Sequence, residues 1–294
     1  MRVLVTGAAG QVGAELMRAA WPAGVAVTGV DRRGLDITDA AAVDAVVADL
    51  APEVIVNAAA YTAVDRAETE PDLAQAVNAT GVAHLAAAAN RHGSRLIHIS
   101  TDYVFDGTKD GWYVETDPVA PLGVYGATKL AGEQAAAAAE RHLILRTAWV
   151  YGALGANFVA TMLRLGAERD ELAVVADQRG CPTAAIDIAA AIVDLVTAGL
   201  DGDELTGTYH LASPEEATWH GFACAILAEP IASGRLRVRA IPTTDYPTPA
   251  ARPANSRLDS TAIADAAGIV LPAWSTTMPA VRAELLERAE RTSS

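Results

Sequence analysis

Met1-Arg-Val-Leu-Val-Thr6-Gly7-Ala-Ala-Gly10-Gln11-Val12-Gly13 opens the chain. Val3 to Thr6 reads as a short buried strand, and Gln11 to Ala20 as a helix. Between them stand Gly7, Gly10 and Gly13 in a G-x-x-G-x-x-G spacing. A tight strand-to-helix turn needs positive φ, which glycine adopts cheaply. Without a Cβ the turn lets a phosphate approach the backbone. The start of the next helix then offers unbonded N–H groups and the positive end of its dipole. This predicts a dinucleotide's pyrophosphate seated on the first turn of a parallel α/β sheet.

The pattern continues outward from that turn. Val25 to Val30 reads as a second strand, ending at Asp31, about 20 residues past the glycines, where a carboxylate can accept from an adenosine ribose hydroxyl. Arg32 and Arg33 follow and suit a 2′-phosphate, so NADH and NADPH are both allowed. Ala40 to Leu50 reads as a helix capped by Thr38 or Asp39, Val54 to Asn57 as a strand and Leu73 to Asn90 as a helix. Leu96 to Ser100 reads as a strand, Tyr125 to Arg141 as a long helix, and Leu143 to Leu145 as a strand. Strands alternating with helices predict a Rossmann-type, doubly wound parallel sheet over residues 1–150.

Beyond residue 150 the alternation loosens. Helices are expected near Asn157 to Leu165, Ile186 to Ala198 and Trp219 to Leu227, strands near Leu172 to Val175 and Thr208 to Leu211, and an irregular proline-rich segment from Pro242 to Pro253. Residues 151–294 are read as mainly a smaller substrate-binding lobe, from which the chain returns to the first sheet around 170–200.

The 294 residues carry a formal net charge of −14 and are 51% hydrophobic, which supports a folded core and excludes wholesale disorder. No basic face for nucleic acid and no polybasic membrane surface is expected from that charge balance. An anionic ligand must be held by local donors against the overall field. Cys181 and Cys224 make no disulfide framework, and no zinc spacing occurs, so two reduced thiols are expected. The opening apolar run is too short for a signal peptide, and the stretch Ala184 to Leu200 is interrupted by Asp187 and Asp194. A cytoplasmic location is expected.

Tyr125-Gly-Ala-Thr-Lys129 places a phenol and an ammonium on one helix face. The ammonium is expected to lower the phenol's pKa and make Tyr125 a proton donor and acceptor near neutrality. Upstream, His98-Ile-Ser-Thr101 ends a strand at the edge where ligands bind in open α/β sheets. Thr101 is the candidate partner of a substrate carbonyl, with Ser100 its competitor, and His98 is read as packing within the strand.

Together with Asn57-Ala-Ala-Ala60 and Ser100-Thr-Asp-Tyr-Val-Phe105, these motifs resemble the extended short-chain dehydrogenase/reductases. Finer marks resemble the branch that reduces dTDP-4-dehydrorhamnose. They are Gly10-Gln-Val-Gly13-x-Glu-Leu, Tyr61-Thr-Ala-Val-Asp65-x-Ala-Glu68, Asp102-Tyr-Val-Phe-Asp-Gly107, Arg146-Thr-x-Trp-Val-Tyr151, Asp177-Gln-x-Gly-x-Pro-Thr183 and Arg252-Pro-x-Asn-Ser-Arg-Leu258. The resemblance runs from residue 1 to about residue 260 and implies reduction of the C4 ketone of dTDP-4-dehydro-L-rhamnose by NADPH or NADH.

It implies that Thr101, Tyr125 and Lys129 are catalytic. Gly10, Gln11 and Val12 would meet the pyrophosphate, Asp31 the adenosine ribose, and Asp36 with Ile37 the adenine. Ala60, Tyr61 and Thr62 would line the ribose and nicotinamide, which Tyr125 and Lys129 also reach. Thr62, Val64, Thr101, Asp102 and Trp149 would meet the sugar nucleotide, and Arg252, Asn255 and Arg257 either grip its diphosphate or thymidine or structure their loop. Some relatives hold Mg²⁺ at a homodimer contact through a carboxylate matching Glu15 and a second one shortly after the Pro-Thr pair. Here Ala184-Ala-Ile-Asp187 follows that pair, so the second carboxylate is absent or shifted, and the metal and that dimer stay open. A related nucleotide-sugar epimerase or reductase, and a non-catalytic dinucleotide-binding regulatory subunit, are the alternatives.

Overall fold

Val3 and Val5 point to one side of the first strand and Leu4 to the other, and both sides are buried. Val3 and Val5 join Val54, Val56, Ile97 and Leu143 in one core, and Leu4 joins Ile55, Leu96 and Ile144 in a second. A strand buried on both faces belongs to a parallel sheet sandwiched between helices. The computed structural model of the chain, which describes residues 1–197 and 205–293, has that form.

Five strands, β1 (Arg2–Thr6), β2 (Ala26–Val30), β3 (Val54–Asn57), β4 (Arg95–Thr101) and β5 (His142–Thr147), are joined by a sixth, Gly207–His210. The order across the sheet is Gly207–His210, β5, β4, β3, β1, β2, and every pairing is parallel. The order reverses between β1 and β3, which opens a crevice at their carboxyl ends. Helices Gln11–Arg18, Ala185–Thr197 and Thr261–Ala267 bury Leu16, Ile188, Ile192 and Ile263 on one face. Helices Ala40–Leu50 and Gly81–His92 bury Val43, Val47, Val82 and Leu85 on the other.

Asp39, not Thr38, caps Ala40–Leu50, accepting from the backbone N–H groups of Ala41 and Ala42. The expected helix from Leu73 to Asn90 is instead three pieces. These are Pro71–Gln75, a wide π-helical turn Ala76–Thr80, and Gly81–His92. The helix carrying Tyr125 runs Val124–Ala136 and stops short of Arg141. Its alanines favour helix, but Asn90 donates to the Ala138 carbonyl at 2.9 Å and accepts from the Glu140 N–H at 2.7 Å, so tertiary hydrogen bonds replace helical ones. The expected helix Ile186–Ala198 is present as Ala185–Thr197; Ala198 lies outside the described residues.

The rest of the second half packs around Phe222, Met162, Leu172 and Trp274. There, Glu171–Val175 pairs in parallel with Arg237–Ile241, a strand in which arginines at 237 and 239 face solvent. Short strands Ala217–Thr218, Arg179–Gly180 and Asn255–Ser256 form a second small sheet. Among the described residues no helix is long and apolar enough to cross a membrane.

Candidate active site

The glycine turn closes against β3. Gly7 has φ +72°, and a Cβ there would lie 2.5 Å from the Ala59 nitrogen. A Cβ on Gly13 would lie 2.2 Å from the Gly7 carbonyl oxygen, so strand, turn and helix approach as only glycine permits. Helix Gln11–Arg18 starts at Gly10 with no side-chain cap, and the buried Gln11 Oε1 has no hydrogen-bond partner. An uncapped helix start beside a glycine-flanked turn fits a dinucleotide's pyrophosphate. At the end of β2, Asp31 accepts from the N–H groups of Arg33 (2.9 Å) and Gly34 (3.1 Å), while Arg32 is exposed. Asp36 accepts from the Thr38 N–H and hydroxyl, which hold its carboxyl below the usual range, and Ile37 is buried beside it.

From this turn a cleft of about 610 Å³ runs along the carboxyl ends of β1, β3 and β4. Gly10, Gln11, Val12 and Ala60 line one end; Thr62, Val64, Thr101, Asp102, Tyr125, Lys129 and Trp149 line the rest. Tyr125 is 9% exposed and Lys129 2%. Burial pushes the phenol up to about 12, and the downward pull on it is a hydrogen bond with Thr101. Lys129 does not provide the expected lowering. Its Nζ donates to the Ile99 carbonyl at 2.7 Å on β4 and stands 3.4 Å from His98 Nε2, and burial brings it down to about 8. The pair therefore consists of a phenol kept protonated and a lysine whose ammonium is destabilised by its surroundings.

Ser100 is committed elsewhere: its hydroxyl donates to Glu133 Oε1 at 2.5 Å. Thr101 instead donates to Asp102 Oδ1 at 2.9 Å. His98 is buried, receives the Asn57 amide at 3.0 Å, and is held neutral by desolvation.

Asp102 is 2% exposed, and burial pushes its carboxyl up to about 6. The folded state then binds more protons than the unfolded one between about pH 4 and 6, so stability falls as pH rises through that window and stays lower above it. Asp102→Asn keeps an acceptor for Thr101 and removes the buried charge. It is expected to be more stable than wild type at pH 7.5 by on the order of 2 kcal/mol, with the gain shrinking towards pH 4. Urea unfolding of both proteins at pH 4.5 and 7.5 checks this; an equal difference at both pH values refutes it.

Other expected residues sit apart from the cleft floor. The Tyr61 phenol donates to Glu70 at 2.6 Å and its backbone is held by Asn78, and unlike its neighbours Ala60 and Thr62 it does not line the cleft. Asn255 donates to the carbonyls of Lys109 and Gly111 and accepts from Arg257, whose guanidinium pairs with Glu216; both structure their loop. Arg252 pairs with Asp65 at 2.9 Å and lines an adjoining apolar pocket of about 430 Å³ with Phe158, Met162, Trp219 and Tyr246. Glu15 is buried near Arg18, and Asp187 accepts from Thr277; among the described residues no group of three or more His, Cys, Asp or Glu is placed to hold a metal ion.

Sequence reasoning passed over three supports. Asn78, on the wide π turn, donates to the Tyr61 carbonyl and to Thr128 on the Tyr125 helix. Glu68 accepts from the Val124 N–H at 2.9 Å and caps that helix in place of Gly123. Glu133, one turn beyond Lys129, makes a two-point buried pair with Arg146. Glu68 and Arg146 fall inside motifs quoted above, which was the available signal; nothing local marks Asn78.

A doubly wound parallel sheet with a glycine turn at its switch point and a Tyr-x-x-x-Lys helix over the same cleft defines a dinucleotide-dependent oxidoreductase of the extended short-chain type. The family model described as RmlD substrate binding domain matches residues 1–287, and the chain belongs to that family. It is similar to the dTDP-4-dehydrorhamnose reductase of Escherichia coli strain K12, 46% identical over 285 residues, covering 93% of this chain and 94% of that protein. It is 45% identical to the dTDP-4-dehydrorhamnose reductase of Streptomyces griseus over 260 residues, 88% of this chain and 85% of that protein. Among solved structures, the dTDP-4-dehydrorhamnose reductase of Bacillus anthracis in complex with NADP is 38% identical, with a TM-score of 0.90 over 96% of this chain and 99% of that one.

Proposed function

We propose that the protein reduces the C4 ketone of dTDP-4-dehydro-L-rhamnose to dTDP-L-rhamnose with NADPH or NADH. One observation carries the reading: a protonated phenol, a lysine and a threonine hydroxyl line the same cleft as an uncapped, glycine-flanked phosphate turn. The similarity to reductases of this name along nearly their whole length supports it.

Gly7, Gly10, Gln11, Val12 and Gly13 hold the cofactor's pyrophosphate, Asp31 and Arg32 its adenosine ribose, and Asp36 and Ile37 its adenine. Bound there, the reduced nicotinamide supplies the hydride. The Thr101 hydroxyl turns from Asp102 to donate to the C4 oxygen and polarise the carbonyl, and Tyr125 delivers its proton to the same oxygen as charge develops. Lys129, held by the Ile99 carbonyl, would bind the ribose hydroxyls of the cofactor. Thr62, Val64, Asp102 and Trp149 shape the sugar's place, and Arg252 turns from Asp65 towards the diphosphate. Residues 151–294 form mainly the substrate lobe, and the pocket beside Arg252 suits the apolar face of a nucleobase.

The test follows loss of reduced-cofactor absorbance with dTDP-4-dehydro-L-rhamnose made in situ, NADPH and NADH being supplied separately. Stoichiometric cofactor oxidation with formation of dTDP-L-rhamnose is expected. Tight binding of either cofactor with no consumption would assign the chain a regulatory role instead, and product epimerised at constant cofactor would make it an epimerase.

A further inference from the structure

The motif Asp177 to Thr183 takes no part in the reduction described above, yet its Gln178 lines the pocket that adjoins the cleft. Gln178 is buried. Its Oε1 accepts from the Trp219 indole N–H at 3.2 Å, and its Nε2 donates to Thr243 Oγ1 at 3.0 Å. An indole N–H can only donate, so the amide has one workable orientation. Thr243 is fixed in turn by Asp177, which accepts from its N–H at 2.9 Å and from its hydroxyl at 2.6 Å.

Trp219 then stacks on Trp149, the ring centroids 3.6 Å apart and the planes 5° from parallel. Behind Trp149 lies Gly180, where a Cβ would sit 2.3 Å from Trp149 Cε2. The indole is thus held between a ring and a bare backbone. Trp149 also has φ +47°, a left-handed conformation unfavourable for a bulky residue, so its pose is imposed by these neighbours. Both indoles line the cleft that holds Thr101 and Tyr125. Trp219 alone of the pair also lines the adjoining apolar pocket.

We infer that Gln178 and Trp219 are positioning residues for the sugar nucleotide. Gln178 fixes the Trp219 indole, and Trp219 with Gly180 fixes Trp149 between them, so that the free edge of the Trp149 indole is the wall beside which the hexose ring is laid. The inference rests on the reading of this cleft as the sugar-nucleotide site. A wall of this kind contacts ground state and transition state alike, so its loss is read in KM and not in kcat.

Gln178→Leu and Trp219→Phe delete the same hydrogen bond from its two ends, and Trp219→Phe keeps a stacking ring. Each is expected to raise KM for dTDP-4-dehydro-L-rhamnose about fivefold, with kcat held within about twofold. KM for NADPH stays unchanged. The double variant is no worse than Gln178→Leu alone, because the bond between the two side chains is already lost there, together with the bond to Thr243. The quenching of tryptophan emission by dTDP-L-rhamnose shifts to correspondingly higher concentration in each variant. Variants that lose thermal stability but keep KM and the emission titration give these residues a merely structural role and overturn the inference alone. Wild-type protein that neither reduces the ketone nor changes its emission with dTDP-L-rhamnose overturns the functional reading, and the inference with it.

Discussion

Tyr125→Phe is expected to lower kcat by about 10³-fold while leaving NADPH affinity within a few-fold of wild type. The phenol is a buried acid that lines the cleft with Thr101. Its pKa, pushed up to about 12 by burial, keeps it protonated throughout the range in which the enzyme can be assayed. A donor held in its acid form suits reduction, in which a proton must be delivered. The reverse oxidation needs the phenolate, so it should accelerate steadily with rising pH where reduction stays flat with respect to this group. The hydroxyl acts mainly as charge develops on the substrate oxygen, so kcat and kcat/KM should fall together. Initial rates with saturating NADPH, and a separate titration of cofactor binding, check both halves. A Tyr125→Phe variant that retains wild-type kcat removes the tyrosine from the chemistry.

The parallel sheet was legible in the sequence because both of its faces are buried. Val3-Leu-Val5 and Val54-Ile-Val56 read as unbroken apolar runs, and the glycine turn marked where the first of them ends. The residues brought to the cleft were legible for a related reason. The carboxyl ends of β1, β3 and β4 meet at the switch point, so anything polar just after those strands reaches one place. What escaped depends on contacts distant in sequence. The π turn at Ala76–Thr80 breaks a helix whose composition gives no reason to break, and it is held by Asn78 reaching Tyr61 and Thr128. The strand Arg237–Ile241 presents arginine at alternate positions, and it is a strand because Glu171–Val175 pairs with it. The helix Trp274–Ser293 contains Pro279 and a strongly charged second half; Trp274, Met278 and Val281 enter the core and Leu285 packs against it. The expectation for the lysine failed through desolvation. Spacing put the ammonium near the phenol, but burial and the Ile99 carbonyl decide where its nitrogen sits.

Arg146→Leu is expected to destabilise the fold by about 3–5 kcal/mol, the cost of stranding one partner of a buried ion pair. Arg146 is 5% exposed, and its Nε and Nη2 donate to the two oxygens of Glu133 at 2.8 and 2.7 Å; its guanidinium lies 5.1 Å from the Phe105 ring. Glu133, also 5% exposed, retains only the Ser100 hydroxyl as a hydrogen-bond donor to its side chain once the arginine is gone. Replacing both residues, Glu133→Leu with Arg146→Leu, strands neither member of the pair and should be distinctly more stable than Arg146→Leu alone. Urea unfolding at pH 7.5 followed by far-ultraviolet circular dichroism measures all three proteins, and a double variant less stable than the single one refutes the account. The pair also has a consequence for the reaction. It pins helix Val124–Ala136 to β5 one turn past Lys129, and with Glu68 capping the other end it sets the height of Tyr125 above Thr101. The double variant should therefore fold yet lose kcat by about tenfold or more, because a phenol misplaced by a fraction of an ångström delivers its proton poorly even when nothing it touches has been changed.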